Sequence, residues 1–404
     1  MEMYQRLFYL KKVLDFKDTD FIKVITGVRR CGKSVLLMQY KDYLLESGIR
    51  EENIIYLNLE SFENQLITTA EDFRETILNV IPKNNDSFYV LVDEIQFVEG
   101  WQRVINGLRV SYNCDITITG SNAKLLSGEL ATLLSGRYVE IEVYPFSFKE
   151  FLAVKGIDEK SREVDIAYRE YEKYGGFPGV VLSNEYLKES ILSGIYDSIL
   201  LNDIATRGRI RDTQMLKNIV SYLADNVGQL VNPSKIVNVL KNEKIEVSNH
   251  TMVRYLELLK DAFLFYETKS YDIRGKALLR NNAKYFMVDN GLRNHAISFS
   301  NSNQGNRLEN IVFVELLRRG YNVNVVRLDD KEIDFIAKKG EMVEYYQVAY
   351  QIPENSHETD NLLLIKDNFK KTLITGRYEG VNEIDGIKVD YIVDWLMNED
   401  IVSE

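Results

Sequence analysis

Cysteine is scarce. In 404 residues only Cys31 and Cys114 occur, one inside a glycine-rich stretch and the other just ahead of a strand-like run. That argues against a disulfide framework and for a reducing compartment. The 3 histidines, His250, His295 and His357, are scattered without ligand spacing, so nothing supports a zinc site. No apolar run approaches the ~20 residues that a membrane-spanning helix needs. The opening, MEMYQRLFYLKKVL, has neither the apolar core nor the small-residue cleavage site of a signal peptide. A soluble cytoplasmic protein with no membrane partner is the expectation. Positive charge is also short: 50 Lys and Arg against 61 Asp and Glu leave a net charge of −11. A chain-wide basic footprint of the kind that marks nucleic-acid binders is therefore missing, and any such surface must be local. Long repeats and low-complexity tracts are missing as well.

What remains is a globular composition, 45% hydrophobic and 27% charged, with length for two or three domains. From about 21 to 145, short runs rich in β-branched residues alternate with helical patterns. The runs are FIKVIT, NIIYLNL, FYVLVDEI, DITITG and YVEIEVY. Such alternation predicts an α/β fold, a parallel sheet covered by helices on both faces. From about 146 to 290 the pattern is mostly helical, with apolar residues three and four apart in TQMLKNIVSYLADNVG and NPSKIVNVLKN. A helix capped by Ser248 or Asn249 follows, and then a strand. SFSNSNQGN, at 298–306, reads as a polar linker. Beyond it, RLENIVFVELLRRG reads as a helix, and EIDFIAK and EYYQVAY as strands.

One segment carries chemistry on its face. Gly27-Val28-Arg29-Arg30-Cys31-Gly32-Lys33-Ser34 satisfies the spacing G-x-x-x-x-G-K-[ST], with Val35 next in line. The glycines let the backbone curl so that successive N–H groups point at phosphate oxygens, and the helix opening at Gly32 adds its positive end. Lys33 supplies a point charge for the β- and γ-phosphates, and Ser34 a hydroxyl for Mg²⁺. The context confirms the motif: KVIT precedes it as a strand and SVLLMQYKDYLL follows as a helix. The ligand expected is ATP with Mg²⁺.

FYVLVDEIQ then reads as a buried strand ending in Asp93-Glu94. Paired carboxylates at the end of an apolar strand are costly to bury without purpose. Asp93 suits a Mg²⁺ ligand acting through the ion's water shell, and Glu94 a group that polarises the attacking water. In DITITGSNAK, Ser121 and Asn122 could touch the γ-phosphate or orient water, although turn chemistry also explains them. Arg137, in LLSGRYVEIEVY, has two readings: an arginine finger reaching a neighbouring subunit's nucleotide, or a surface or capping arginine.

Together these residues resemble the bacterial AAA-superfamily ATPases that pair an N-terminal P-loop domain with a C-terminal domain of unknown function. The likeness runs nearly end to end, on TGVRRCGKS, VDEIQ, Trp101, TGSNAKLL, LSGR, YPFSFKEF, YGGFP, LLNDIATR, KYFMVDNGLRN, LENIVFVELLRRGY and EIDFIA…YYQVAY. It implies ATP binding and hydrolysis by an AAA-type P-loop fold, a middle region resembling a winged helix, and a last domain resembling a restriction endonuclease. The expected domains are 1–146, the AAA-type ATPase; 147–297, a helical lid and winged-helix-like region; and 298–404, the restriction-endonuclease-like domain.

The middle region's layout of helices followed by a strand pair suits a winged helix, with 248–261 as the recognition helix. On that helix His250, Arg254 and Lys260 could meet DNA, opposed by Glu257 and Asp261. Arg207, Arg209 and Arg211 form a denser basic cluster, suited to phosphate tracking or to pairing with acidic neighbours between subunits. YGGFPG reads as a rigid turn. In the last domain Asp334 sits where a nuclease's first metal carboxylate belongs, and Glu309 or Glu315 could assist. Gln347 and Ala349 stand where a second carboxylate and a lysine are needed, which argues for a scaffold that binds without cutting. The leading reading is ATP hydrolysis to ADP coupled to modules that act on nucleic acid, in a homo-oligomer. Its rival is a nucleotide-controlled switch in a protein assembly with no DNA contact.

Overall fold

The computed structural model describes residues 4–83, 86–126, 136–242, 245–272, 277–299, 303–328, 331–352 and 357–398. The chain forms two compact units, Met1–Tyr144 with Asp261–Phe263, and Pro145–Lys260 with Leu264–Glu404.

The first unit is the AAA-type P-loop fold. Its five strands are β1 (Ile22–Thr26), β2 (Ile54–Asn58), β3 (Phe88–Asp93), β4 (Cys114–Thr119) and β5 (Tyr138–Glu142). They lie in the order β2-β3-β4-β1-β5 and are all parallel. Every residue of β1 and β3 is buried, because a parallel sheet whose crossover helices cover both faces has no wet side. Alternate residues, among them Val24, Leu57, Val90 and Ile118, pack with Phe73 and Ile77 of α3 (Ala70–Val80) and Ile105 of α4 (Trp101–Ser111). Helices α1 (Leu7–Leu14) and α2 (Lys33–Glu46) pack beside each other, α2 against β3 and β4 and α1 against β5. Thr69 starts α3 with a reciprocal cap: its hydroxyl takes the Asp72 N–H, and the Asp72 carboxylate takes the Thr69 N–H.

The second unit begins with helices α5 (Phe148–Lys155), α6 (Val164–Tyr174), α7 (Pro178–Val181) and α8 (Lys188–Ser198). A π-helical stretch, Ile199–Thr206, continues from α8. Then come α9 (Thr213–Asp225), β6 (Leu230–Val231), α10 (Pro233–Asn242), α11 (Asn249–Asp261), β7 (Phe265–Asp272) and β8 (Ala277–Met287). After α12 (Asn290–Ile297) and α13 (Gln304–Arg318) follow β9 (Asn322–Leu328), β10 (Lys331–Lys339) and β11 (Met342–Ala349). The unit ends with α14 (His357–Leu363), β12 (Lys370–Thr375), β13 (Glu383–Ile384), β14 (Ile387–Tyr391) and α15 (Ile392–Met397).

Among the described residues the nine strands of this unit form one sheet, β13-β14-β12-β11-β10-β9-β7-β8-β6. The sheet therefore runs straight through the boundary expected at 297/298. The bridge is a parallel pairing of β7 with β9 through Ser270, Tyr271 and Asp272. The helix α13 also begins at Gln304, inside the segment that reads as a polar linker. YGGFPG is more than a turn. A Cβ on Gly176 would lie 2.2 Å from the Phe146 carbonyl oxygen. The Gly176 N–H donates to the Asp289 carboxylate at 2.7 Å, so the backbone is drawn close to the cap of α12.

Candidate nucleotide site

The cradle sits at the carboxyl end of β1. Gly27 has φ +134°, and a Cβ there would stand 2.2 Å from the Val143 carbonyl oxygen, so only glycine fits. Arg30 and Gly32 also have positive φ, 67° and 108°, and wind the loop into α2. Lys33, 3% exposed, folds back over the loop and donates to the carbonyls of Gly27 and Val28, both at 3.1 Å. Its ammonium lies 3.9 Å from the Glu94 carboxylate. Cys31 is fully buried, and that burial pushes its thiol pKa up, so it acts as packing rather than as a nucleophile. Arg29 pairs with Glu60 at 2.6 Å, while Arg30 and Val35 are exposed.

Asp93 and Glu94 end the neighbouring buried strand. Burial raises the Asp93 pKa above the ordinary carboxylate value, and hydrogen bonds from Thr119 and Ser34 pull it back. The Ser34 contact ties the cradle to β3. Glu94 has a left-handed backbone, φ 57°, unusual for a non-glycine residue, and this turns its side chain toward Lys33. Ser121 is buried, and the Gln96 amide links it to Glu94 by donating to both.

Two expected residues lie outside this cluster. The Asn122 side-chain Oδ1 accepts the Lys124 N–H at 2.8 Å, an Asx turn of its own loop. Arg137 precedes β5, and its carbonyl accepts the Ile22 N–H at 3.1 Å. It therefore stands at the opposite end of β1 from the cradle, roughly 16 Å away at ~3.3 Å per strand residue. The Arg137 side chain is 56% exposed and pairs with Asp20, which Arg109 also binds at 2.9 Å.

At this site, sequence reasoning missed three residues. Thr119 accepts the Glu94 N–H at 3.0 Å and donates to Asp93 Oδ1 at 2.5 Å, holding both carboxylates. Pairing Val92 with Ile118 puts Asp93 beside Thr119, a neighbourhood that only the order of strands in the sheet sets. Gln96 lay in the quoted DEIQ without a role. Arg6, 2% exposed, donates to the carbonyls of Cys31 at 3.1 Å and Tyr144 at 2.9 Å. Nothing local distinguishes it from a surface arginine of an amphipathic helix.

In the second unit, the Asp334 N–H donates to Gln347 Oε1 at 3.3 Å, and its carboxylate accepts the Val348 N–H at 2.8 Å. Lys284 of β8, 2% exposed, is a cation facing Asp334. Its ammonium lies 2.7 Å from Glu332, 3.1 Å from Glu309 and 3.8 Å from Asp334. Burial alone would lower the Lys284 pKa, but these three carboxylates raise it above the ordinary lysine value. Glu315 is occupied by Arg318 and by Arg319, the latter at 2.9 Å. Among the described residues no cluster of three acidic, histidine or cysteine side chains suits a metal ion. Several basic candidates for DNA are also engaged. Arg254 donates to the Gly208 carbonyl, Lys260 pairs with Glu257 and Glu267 at 2.8 and 2.7 Å, and Arg207 pairs with Asp203 at 3.0 Å. Arg209 and Arg211 are exposed.

Residues 19–152 match the family model described as an AAA domain, and residues 166–303 match a domain of unknown function, DUF8612. The first match covers the strand-and-cradle assembly just described. Over 395 residues the chain is 65% identical to an uncharacterized protein of Haemophilus influenzae, spanning 98% of this chain and 99% of that one. Over 382 residues it is 33% identical to the uncharacterized protein MJ1544 of Methanocaldococcus jannaschii, spanning 90% and 84%. The chain belongs to the family of these two proteins. Among solved structures, the Aeropyrum pernix ORC1 protein in complex with DNA is 11% identical with a TM-score of 0.35, covering 74% of this chain and 93% of that one.

Proposed function

We propose that this chain binds ATP with Mg²⁺ in the cradle and hydrolyses it to ADP and phosphate, and that the second unit uses the cycle to act on nucleic acid. The observation that carries the ATPase reading is the convergence of Lys33, Ser34, Asp93 and Glu94 at the carboxyl ends of two strands. The donor set fits the ligand. Lys33 spends its protons on loop carbonyls that phosphate oxygens would replace, and the Ser34–Asp93 pair offers two hard oxygens to the metal. Bound Mg²⁺ supplies charge neutralisation at the β- and γ-phosphates.

The residues divide the remaining work. Loop N–H groups from Gly27 to Lys33 hold phosphate oxygens, and the Lys33 ammonium follows the γ-phosphate. Glu94 accepts the proton of the attacking water, and Ser121 stands by to orient it. Lys33→Ala should abolish tight ATP binding. Glu94→Gln should keep ATP bound while lowering turnover by ~10²–10⁴. Equilibrium binding and single-turnover assays on the two proteins check this, and wild-type turnover in Glu94→Gln would move the base elsewhere.

The nucleic-acid reading is supported by layout. Between α9 and β8 the order helix, short strand, two helices and hairpin, with β6 paired to β8, supports the winged-helix reading. The mixed strands from β9 to β14 resemble a restriction-endonuclease core. The Lys284 ammonium occupies the space between Asp334, Glu309 and Glu332, and Gln347 and Ala349 lack the charge a nuclease site needs, so purified protein with Mg²⁺ or Mn²⁺ should leave DNA uncut; cleavage lost in Asp334→Ala would overturn this. The net charge of −11 favours the rival, a switch in a protein assembly. A DNA titration at several salt concentrations decides between them, because phosphate contact produces a steep salt slope.

A further inference from the structure

The three parallel strands β11, β12 and β14 of the second unit end flush, with Ala349 opposite Thr375 and Thr375 opposite Tyr391. Ligand crevices in open α/β sheets lie outside the carboxyl ends of such strands. A cavity of about 350 Å³ opens there. Its floor is Tyr350, the Gly376–Tyr378 segment and Tyr391, and one wall is a single face of α6, from Asp165 through Arg169 to Glu172.

The lining is specific in chemistry. Both acids of the wall are committed: Asp165 accepts the Tyr391 hydroxyl at 2.8 Å, and Glu172 pairs with Arg307 at 3.0 Å. The two arginines are less engaged. Arg377 makes one long contact to Gln351, 3.4 Å, and Arg169 is exposed. Tyr378, 72% exposed, stands edge-on to Tyr391 at 6.2 Å and leaves a ring face for a planar group. Gly376 is required for this shape, since a Cβ there would lie 2.7 Å from the Tyr350 ring.

We infer that this cavity binds one phosphorylated nucleotide unit, its base on the tyrosine rings and its phosphate between Arg169 and Arg377. Guanidinium forks favour phosphate, and aromatic faces accept any base. The volume lies at the small end of ligand pockets, ~300–1,000 Å³, and admits a single nucleotide but not a base pair. The unit is either a free mononucleotide or one nucleotide of a single strand. The inference deepens the nucleic-acid reading and rests on it only for the second source.

The test uses full-length protein with its cradle saturated by a non-hydrolysable ATP analogue. Labelled dAMP and a short 5′-phosphorylated single-stranded oligonucleotide are titrated separately. One further equivalent of either ligand should bind. Arg377→Ala, Arg169→Ala and Tyr378→Ala should each weaken it about tenfold or more, with ATPase rate and melting temperature unchanged. Arg377→Lys should recover part of the affinity. Binding of dAMP alone assigns a free nucleotide and removes support for the nucleic-acid reading. Oligonucleotide binding that ignores all three substitutions keeps that reading and overturns this site. Binding of neither overturns it as well.

Discussion

At the scale of single residues, the candidate site depends on groups that hold other groups. Thr119 uses one hydroxyl to fix the Glu94 backbone and the Asp93 side chain. Thr119→Val keeps the shape but strands a buried N–H, a cost of ~1–3 kcal/mol. Both melting temperature and ATP turnover should fall, and Thr119→Ser should restore both. A valine variant with parental turnover and stability would show that β4 contributes packing alone. Arg6 illustrates the same logic from a distance, binding Cys31 of the cradle and, 138 residues along the sequence from Arg6 itself, Tyr144.

At the scale of elements, the cap of α12 is the most exposed to pH. Asp289 accepts N–H groups from Gly176, Gly291 and Leu292, yet its burial raises its pKa from 3.8 to about 6. Between pH ~4 and ~6 the folded chain holds a proton that the unfolded chain has released, so this group's contribution to stability falls as pH rises through that window. Asp289→Asn cannot titrate. The stability advantage of the parent over the variant should therefore shrink as pH rises from about 4 to 6, measured by denaturant unfolding. A constant gap would mean that Asp289 ionises normally. The helix thus begins at a carboxyl group whose partner, Gly176, lies 113 residues earlier, which explains why YGGFPG looks locally like a simple turn.

At the scale of the whole molecule, the position of Arg137 bears on assembly. It stands at the far end of its own sheet, exposed and held by Asp20, so any action on a γ-phosphate has to be on another subunit's. If it acts there, specific ATPase activity should rise with protein concentration, and Arg137→Ala should lower turnover while leaving ATP affinity near parental. Mixing Arg137→Ala with Lys33→Ala protein should return partial activity, because an intact cradle then meets an intact arginine. Mixed oligomers without recovered activity would confine Arg137 to its own chain.

The order of strands and helices from 21 to 145, the cradle and the Asp93-Glu94 pair were legible because each is encoded by neighbours: a spacing of glycines, an apolar run, a carboxylate at its end. Periodicity says which side of an element is buried, and it says nothing about what is buried against it. That is why Thr119, Arg6 and Lys284 went unread. The same limit hid the single nine-stranded sheet that crosses 297/298, because the pairing of Ser270 with Val325 joins residues that no local pattern connects. Lys284 shows the consequence for chemistry. Asp334, Gln347 and Ala349 are visible in the strands that carry them, but the lysine beside Asp334 comes from β8, and only long-range packing, where burial forces every charge to find a partner, put it there.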